Sequence, residues 1–284
     1  MGEKVVIASM RDASEAVADA KVADVKVADV KALFDTHVND GKIVLIVEGP
    51  DDKEVYEGLT NSSSVCIYVV CNCEKHFVIL DALNDRYRDR LLAIKDADFD
   101  RLEGKHYSYS NLVLTDTHDM EGMIVESSLS SLQGEDAERC QDIKLADIYS
   151  ELEDISYLKW FNHCNHCGIN FSKTTLDLNV VSYFNTCVSN TNNTVSVDLS
   201  DVQAFKQEHQ GVDKKELCNG HDIFDRIYVR AHTAKVSNFP KKPFFRRLRM
   251  AYPKEQFLKT SLFKDIKAWE TATGNTVLAN ITVG

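Results

Sequence analysis

From Ile43 onward, apolar residues come in short unbroken runs, and each run gives way to a polar turn and then to a stretch at helical spacing. Ile43 to Val47 is five consecutive apolar residues, a length and density that predict a strand buried on both faces. Asp52 to Leu59 follows as a short helix with Val55, Tyr56 and Leu59 on one side. Val65 to Cys71 is β-branched, aromatic and free of charge, so it predicts a second buried strand. A helix is expected from Glu74 to about Arg90, with Phe77, Val78, Leu80, Leu83 and Tyr87 near helical spacing. Leu91 to Ile94 is a third strand and Leu112 to Thr115 a fourth. The helix after it, roughly Met120 to Leu132, turns Ile124 and Val125 inward. Strands alternating with helices predict a parallel sheet covered on both faces, hence an α/β fold.

The flanks read differently. The first forty residues repeat AVADA, KVADV, KVADV, an alternation that suits an amphipathic helix of imperfect register. Beyond Gln133, helical spacing resumes from Asp142 to about Phe161, a polar interval spans Ser189 to Thr194, and helix-like runs continue through Leu262 to Thr271. The expected organisation is a helical segment over residues 1–40, an α/β domain over 41–135 and a mostly helical C-terminal lobe over 136–284.

Composition narrows the classes. No window approaches the ~18 consecutive apolar residues of a membrane span, and the N-terminus lacks a secretory layout, so the expected location is the cytoplasm, with no membrane partner. In that reducing setting the eight cysteines are expected as thiols. A net charge of -11 argues against a protein that coats nucleic acid nonspecifically. Locally the balance reverses. Lys235 to Lys259 holds eight basic residues against the single acid Glu255, interleaved with Phe239, Phe244, Phe245, Tyr252 and Phe257. Such a segment can grip phosphates through Lys241, Lys242, Arg246, Arg247 and Arg249 and stack aromatics on bases; it can equally be a solvated helix face with its aromatics in the core.

The candidate chemistry lies where strands end in acids. Glu48 closes the first strand, Asp96 and Asp98 follow the third, and Asp116 and Glu121 follow the fourth. In a parallel sheet these ends share one edge, and bound cations would relieve the mutual repulsion of the carboxylates. Residues two apart on an extended strand face the same way, so Asp96 and Asp98 are expected to face one Mg²⁺, with Mn²⁺ as a substitute. Glu48 can ligate the same ion or serve as general acid or base, and Asp116 and Glu121 leave room for a second cation. Acids at strand ends are also ordinary helix caps, a role open to Asp51, Asp52, Asp116 and Asp119.

The ordered set Glu48-Gly49, then Asp96-Ala97-Asp98, resembles the TOPRIM domain of topoisomerases, bacterial primases and overcoming-lysogenization-defect (OLD) nucleases, over about Lys42 to Leu132. The resemblance implies acid/base work for Glu48 and Mg²⁺ binding by Asp96 and Asp98, with Asp116 and Glu121 matching the further acids of the nuclease branch. The longer pattern VEGPDDKEVYEGL, DADFD, LTDTHDMEGMIVES and NGHDIF is similar to TOPRIM effector subunits of the PARIS antiphage system. That likeness implies a toxin held by an ATPase partner, released by a phage trigger protein and cleaving nucleic acid, transfer RNA or DNA. Without a GxxxxGK[ST] loop, any ATPase activity is expected in the partner. A homodimer would suit a nuclease addressing two strands or one folded RNA. The rival readings are a non-catalytic TOPRIM-shaped subunit docking to an ATPase, and a phosphohydrolase of nucleotides.

Other features carry two readings each. His163, Cys164, His166 and Cys167 have CxxC spacing for zinc or for helix-end packing. His118 can shuttle a proton or hold a structural hydrogen bond, and His221-Asp222 starts a helix or lines the site.

Overall fold

A computed structural model describes residues 26–36, 41–71, 74–171, 174–191, 197–233 and 239–280. The repetition before residue 26, Cys73, residues 192–196 of the polar interval and Lys235 lie outside the described residues. Strands β1 (Ile43–Val47), β2 (Val65–Val69), β3 (Leu91–Lys95) and β4 (Leu112–Leu114) form one parallel sheet in the order β2-β1-β3-β4, flanked by helices. The register pairs Val44 with Cys66 on one side and with Leu91 on the other. All five residues of β1 and of β3 are buried, whereas β2 and β4, at the edges, are only partly so. The uninterrupted apolar runs therefore occupy the centre of the sheet, where both faces leave water. The second strand stops two residues short of Cys71, which adopts a left-handed φ of 59°.

Helices α1 (26–35), α2 (Pro50–Leu59) and α3 (Glu74–Tyr87) accompany the strands. Val30 and Phe34 of α1 and Ile79, Leu80, Leu83 and Tyr87 of α3 pack with Val44, Ile46, Leu91 and Ala93. Those alternate strand positions are one face of the pleat. Phe34 and Tyr87 stack with ring centres 4.1 Å apart. From β1 the chain moves outward to β2 and then returns past β1 to β3. The gap between the C-terminal ends of β1 and β3 is thus the topological switch point, where open α/β sheets have their ligand crevice.

Two compact units cut across the chain order. The first takes the described residues up to Lys95, with Tyr109–Leu112 and Trp269–Ala279. Within it the buried Glu270 accepts the Val277 and Leu278 N–H groups at 2.6 and 2.8 Å, which brings the C-terminal segment back to Thr60. The second takes Asp96–Ser108 and Val113–Ala268. It contains α4 (Met120–Ser131), α5 (Gly134–Cys140), α6 (Leu145–Asn165), α7 (Val180–Ser189), α8 (Leu199–Glu208), α9 (Lys214–Leu217), α10 (Gly220–Thr233), α11 (Lys241–Met250) and α12 (Lys254–Phe257). Helix α13 (Ser261–Thr273) begins in the second unit and ends in the first. No helix among the described residues is long and apolar enough to cross a membrane.

In the second unit, Ile155 and Leu158 of α6 pack with Tyr183, Phe184 and Cys187 of α7 and Val202 of α8. Helix α10 is tied to α6 by Arg226 and Arg230, which reach Glu151 at 2.9 and 2.5 Å. Burial alone would raise the Glu151 carboxyl, but the hydrogen bonds from the two arginines outweigh it and hold it below 4.5. A depressed carboxyl contributes stability that is present above its unfolded value and lost as pH falls through its folded one. The melting temperature should therefore drop as pH falls below about 4.5, more gently in Glu151→Gln than in wild type. Identical acid profiles for the two proteins would contradict this.

Candidate functional site

Glu48 is the first residue after β1, half-buried in a bend, with its carbonyl accepting the Cys71 N–H at 2.7 Å. Gly49 then caps α2, and its N–H donates to the buried Asp52 at 2.7 Å. Asp52 therefore has the capping role, and Glu48 stands just before the helix.

The acids after β3 and β4 belong to the second unit, where two loops are laced together. Ala97 N–H donates to Thr115 Oγ1 at 2.9 Å, Asp98 N–H to the His118 carbonyl at 2.6 Å, and Met120 N–H to Asp96 Oδ1 at 3.1 Å. Asp96 and Asp98 are half-buried. The expectation that both lie on one side of an extended strand needs correction. β3 ends at Lys95, and Asp98 adopts φ 47°, a left-handed turn that the hydrogen bond to His118 holds, so the two-residue period no longer relates them.

Asp116, Asp119 and Glu121 are each committed to another element. Asp116 accepts Ser261 N–H at 2.7 Å and Leu262 N–H at 2.8 Å, which caps α13. Asp119 caps α4 through Gly122 N–H at 2.8 Å and also accepts Gly220 N–H, the first of α10, at 2.6 Å. Glu121 is 2% exposed, and its Oε1 lies 3.4 Å from Arg249 Nη1 of α11 and 3.8 Å from His221 Nδ1 of α10. His118 is buried, with Nδ1 3.1 Å from the Glu216 carbonyl and its ring edge-on to Phe99, which is the structural one of its two readings.

The basic helix is largely neutralised from within. Lys241 pairs with Asp225 at 2.6 Å, Arg247 grips Asp136 with two nitrogens at 2.5 and 3.1 Å, and Arg249 is buried against Glu121. Lys242 and Arg246 are exposed. Phe239, Phe244, Tyr252 and Phe257 are buried, which is the core reading of the two that the segment carried. Helical spacing sends Phe244 and Leu248 inward and the cations outward.

The CxxC pair is divided between two environments. Cys164 Sγ donates to Glu103 at 3.2 Å, and burial together with that hydrogen bond pushes its thiol up to about 12. Cys167 packs against the α6–α7 cluster and is raised by burial. Zinc requires thiolates, so these two favour packing. All seven described cysteines are free.

Sequence reading missed Lys95, 3% exposed at the end of β3, and the meeting of His221 with Glu121. The second had a signal in Asn219-Gly220-His221. Asn219 Oδ1 accepts the His221 N–H at 3.0 Å, and Gly220 lets α10 approach Asp119 and Glu121 closely.

Among the described residues, no group of three or more His, Cys, Asp or Glu side chains is arranged to hold a metal ion. The oxygen donors of Asp96 and Asp98 fit Mg²⁺, which commonly takes one or two protein carboxylates and completes its shell with water and substrate phosphate. Comparison with family models, curated proteins and solved structures finds no match.

Proposed function

We propose that the protein is a Mg²⁺-dependent nuclease of TOPRIM type, working as a toxin-like effector beside an ATPase partner in antiphage defence. The observation that carries this reading is the strand order. With β1 and β3 adjacent and parallel, the switch-point crevice opens after Val47 and Lys95, and the next residues are Glu48 and Asp96. Asp96 and Asp98 would hold the ion, which supplies charge neutralisation at a phosphoryl oxygen. Glu48 takes the proton of the attacking water as the new O–P bond forms. Asp96 is steadied by the N-terminus of α4, and Asp98 by the turn it forms with His118. Lys242, exposed on α11, supplies a phosphate contact for a nucleic-acid strand, transfer RNA or DNA.

One observation favours a second reading. Asp116, Asp119 and Glu121 all hold helices together, as they would in a TOPRIM-shaped subunit that docks to its ATPase without turnover. Incubating cellular RNA and DNA with wild type and Glu48→Ala, each with and without Mg²⁺, separates the two. The nuclease reading expects cleavage only by wild type with Mg²⁺. Intact nucleic acid in every lane would leave the docking reading standing.

A further inference from the structure

We propose that a cavity at the N-terminal edge of the sheet binds a phosphorylated sugar, with Arg86 and Arg88 on the phosphate and Asp85 and Asp89 on the sugar hydroxyls. The cavity measures about 530 Å³, and its described lining is residues 84–90, the last turn of α3 and the loop into β3. That volume lies in the range of small-ligand sites. Everything that builds it belongs to the first compact unit. The five residues of β3, roughly 16 Å of extended chain, separate it from the crevice after Val47 and Lys95. It is therefore a different place from the acids, and the proposal does not rest on the nuclease reading.

The guanidiniums are held in a way that leaves them able to take an oxyanion. Phe34 and Tyr87 stack, with Arg86 over the Tyr87 ring at 5.1 Å and Arg90 over the Phe34 ring at 5.4 Å. An aromatic face holds a guanidinium without consuming its N–H donors. Arg88 directs both Nε and Nη2 at one neutral oxygen, Ser110 Oγ, at 3.0 and 2.8 Å. Paired donors of this kind are the fork that grips a phosphate, and a charged oxygen is the stronger acceptor. Among the described residues neither Arg86 nor Arg88 pairs with a carboxylate. Arg90 serves as wall: its Nε and Nη2 donate to the Lys42 carbonyl at 3.1 and 2.8 Å, and its own carbonyl accepts the Val44 N–H at 2.8 Å. A helix C-terminus ordinarily repels anions. Here two carbonyls at the end of α3 are already engaged, that of Asn84 by the Arg88 N–H at 3.0 Å and that of Tyr87 by the Arg90 N–H at 2.7 Å.

The carboxylates of the lining decide what else the ligand carries. Asp85 and Asp89 are exposed beside Arg86 and Arg88. They would repel a bare polyanion, but they accept hydrogen bonds from hydroxyls, as carboxylates do on a ribose. Guanidinium and carboxylate alternating along DRYRDR thus match a molecule with one phosphate and several hydroxyls better than inorganic phosphate or a run of phosphodiesters.

Isothermal titration of the full-length chain with ribose 5-phosphate, inorganic phosphate and a short RNA oligomer tests this. Ribose 5-phosphate should bind saturably and more tightly than inorganic phosphate. Arg86→Gln and Arg88→Gln should each weaken it roughly 10-fold or more, the scale of a charge-assisted hydrogen bond, with melting temperatures little changed because both side chains are exposed. Ser110→Ala, which only releases Arg88, should bind at least as tightly as wild type, and weaker binding there overturns the role given to Arg88. Asp89→Asn should narrow the preference over inorganic phosphate. No saturable binding of ribose 5-phosphate overturns the proposal, as does unchanged affinity in both arginine variants. Inorganic phosphate bound as tightly as the sugar phosphate overturns the sugar assignment. RNA bound more tightly, with the same loss in Arg88→Gln, overturns the small ligand in favour of a strand.

Discussion

Gly220→Ala should be among the most damaging one-carbon changes in the molecule, lowering the free energy of unfolding by roughly 3 kcal/mol or more. A Cβ at that position would stand 2.5 Å from Gly122 N and from Glu121 Cβ, and closer still to Asp119 Oδ1. The first two are not ends of flexible side chains, so relief requires α10 to move away from α4. That movement would also stretch the 2.6 Å hydrogen bond from Gly220 N–H to Asp119, whose other oxygen caps α4. An unsatisfied buried donor adds about 1–3 kcal/mol of its own. Denaturant unfolding of the two proteins measures the difference. A loss below about 1 kcal/mol would mean that the two helix starts are not locked as described.

Asp96→Asn should do the opposite, removing activity while sparing the fold. Asparagine keeps an oxygen that can accept the Met120 N–H, now made by Asp96 Oδ1 at 3.1 Å, so the link between the β3 loop and α4 survives. What disappears is the negative charge that the nuclease reading assigns to the cation. Cleavage should fall by roughly 10²–10³-fold or more, the scale of losing one electrostatic contact in an active site. Wild-type rates in Asp96→Asn would exclude this carboxylate from the chemistry. Reduced rates together with a lowered melting temperature would assign it to the scaffold.

The contrast between these two substitutions shows what one-dimensional pattern conveys. The apolar runs of β1 and β3 were legible because a strand buried on both faces needs an unbroken run, and the same requirement located Glu48 and Asp96 at strand ends. The fate of the later acids was not legible. Asp116 caps a helix that begins 145 residues later, and Glu121 meets an arginine 128 residues away. No local period encodes such distances. Capping was foreseeable in kind for Asp116 and Asp119, since carboxylates favour helix starts, but not that α13 and α10 would be the recipients. The turn at Asp98 escaped notice because, although aspartate enters the left-handed region more readily than most residues, nothing local in DADFD singles out Asp98 rather than Asp96 or Asp100 for it. The aromatics of the basic segment lay open to two readings until burial decided, because Phe244 and Leu248 at helical spacing fit a core face as well as a stacking surface.

The central claim is that the acids following β1 and β3 bind a divalent cation for phosphodiester cleavage. Calorimetric titration of the purified chain with Mg²⁺ tests it most directly, with wild type beside Asp96→Asn. The account predicts saturable binding in wild type and its loss or marked weakening in Asp96→Asn, with both proteins folded. Equal Mg²⁺ binding by the two proteins, or none by either, would contradict it.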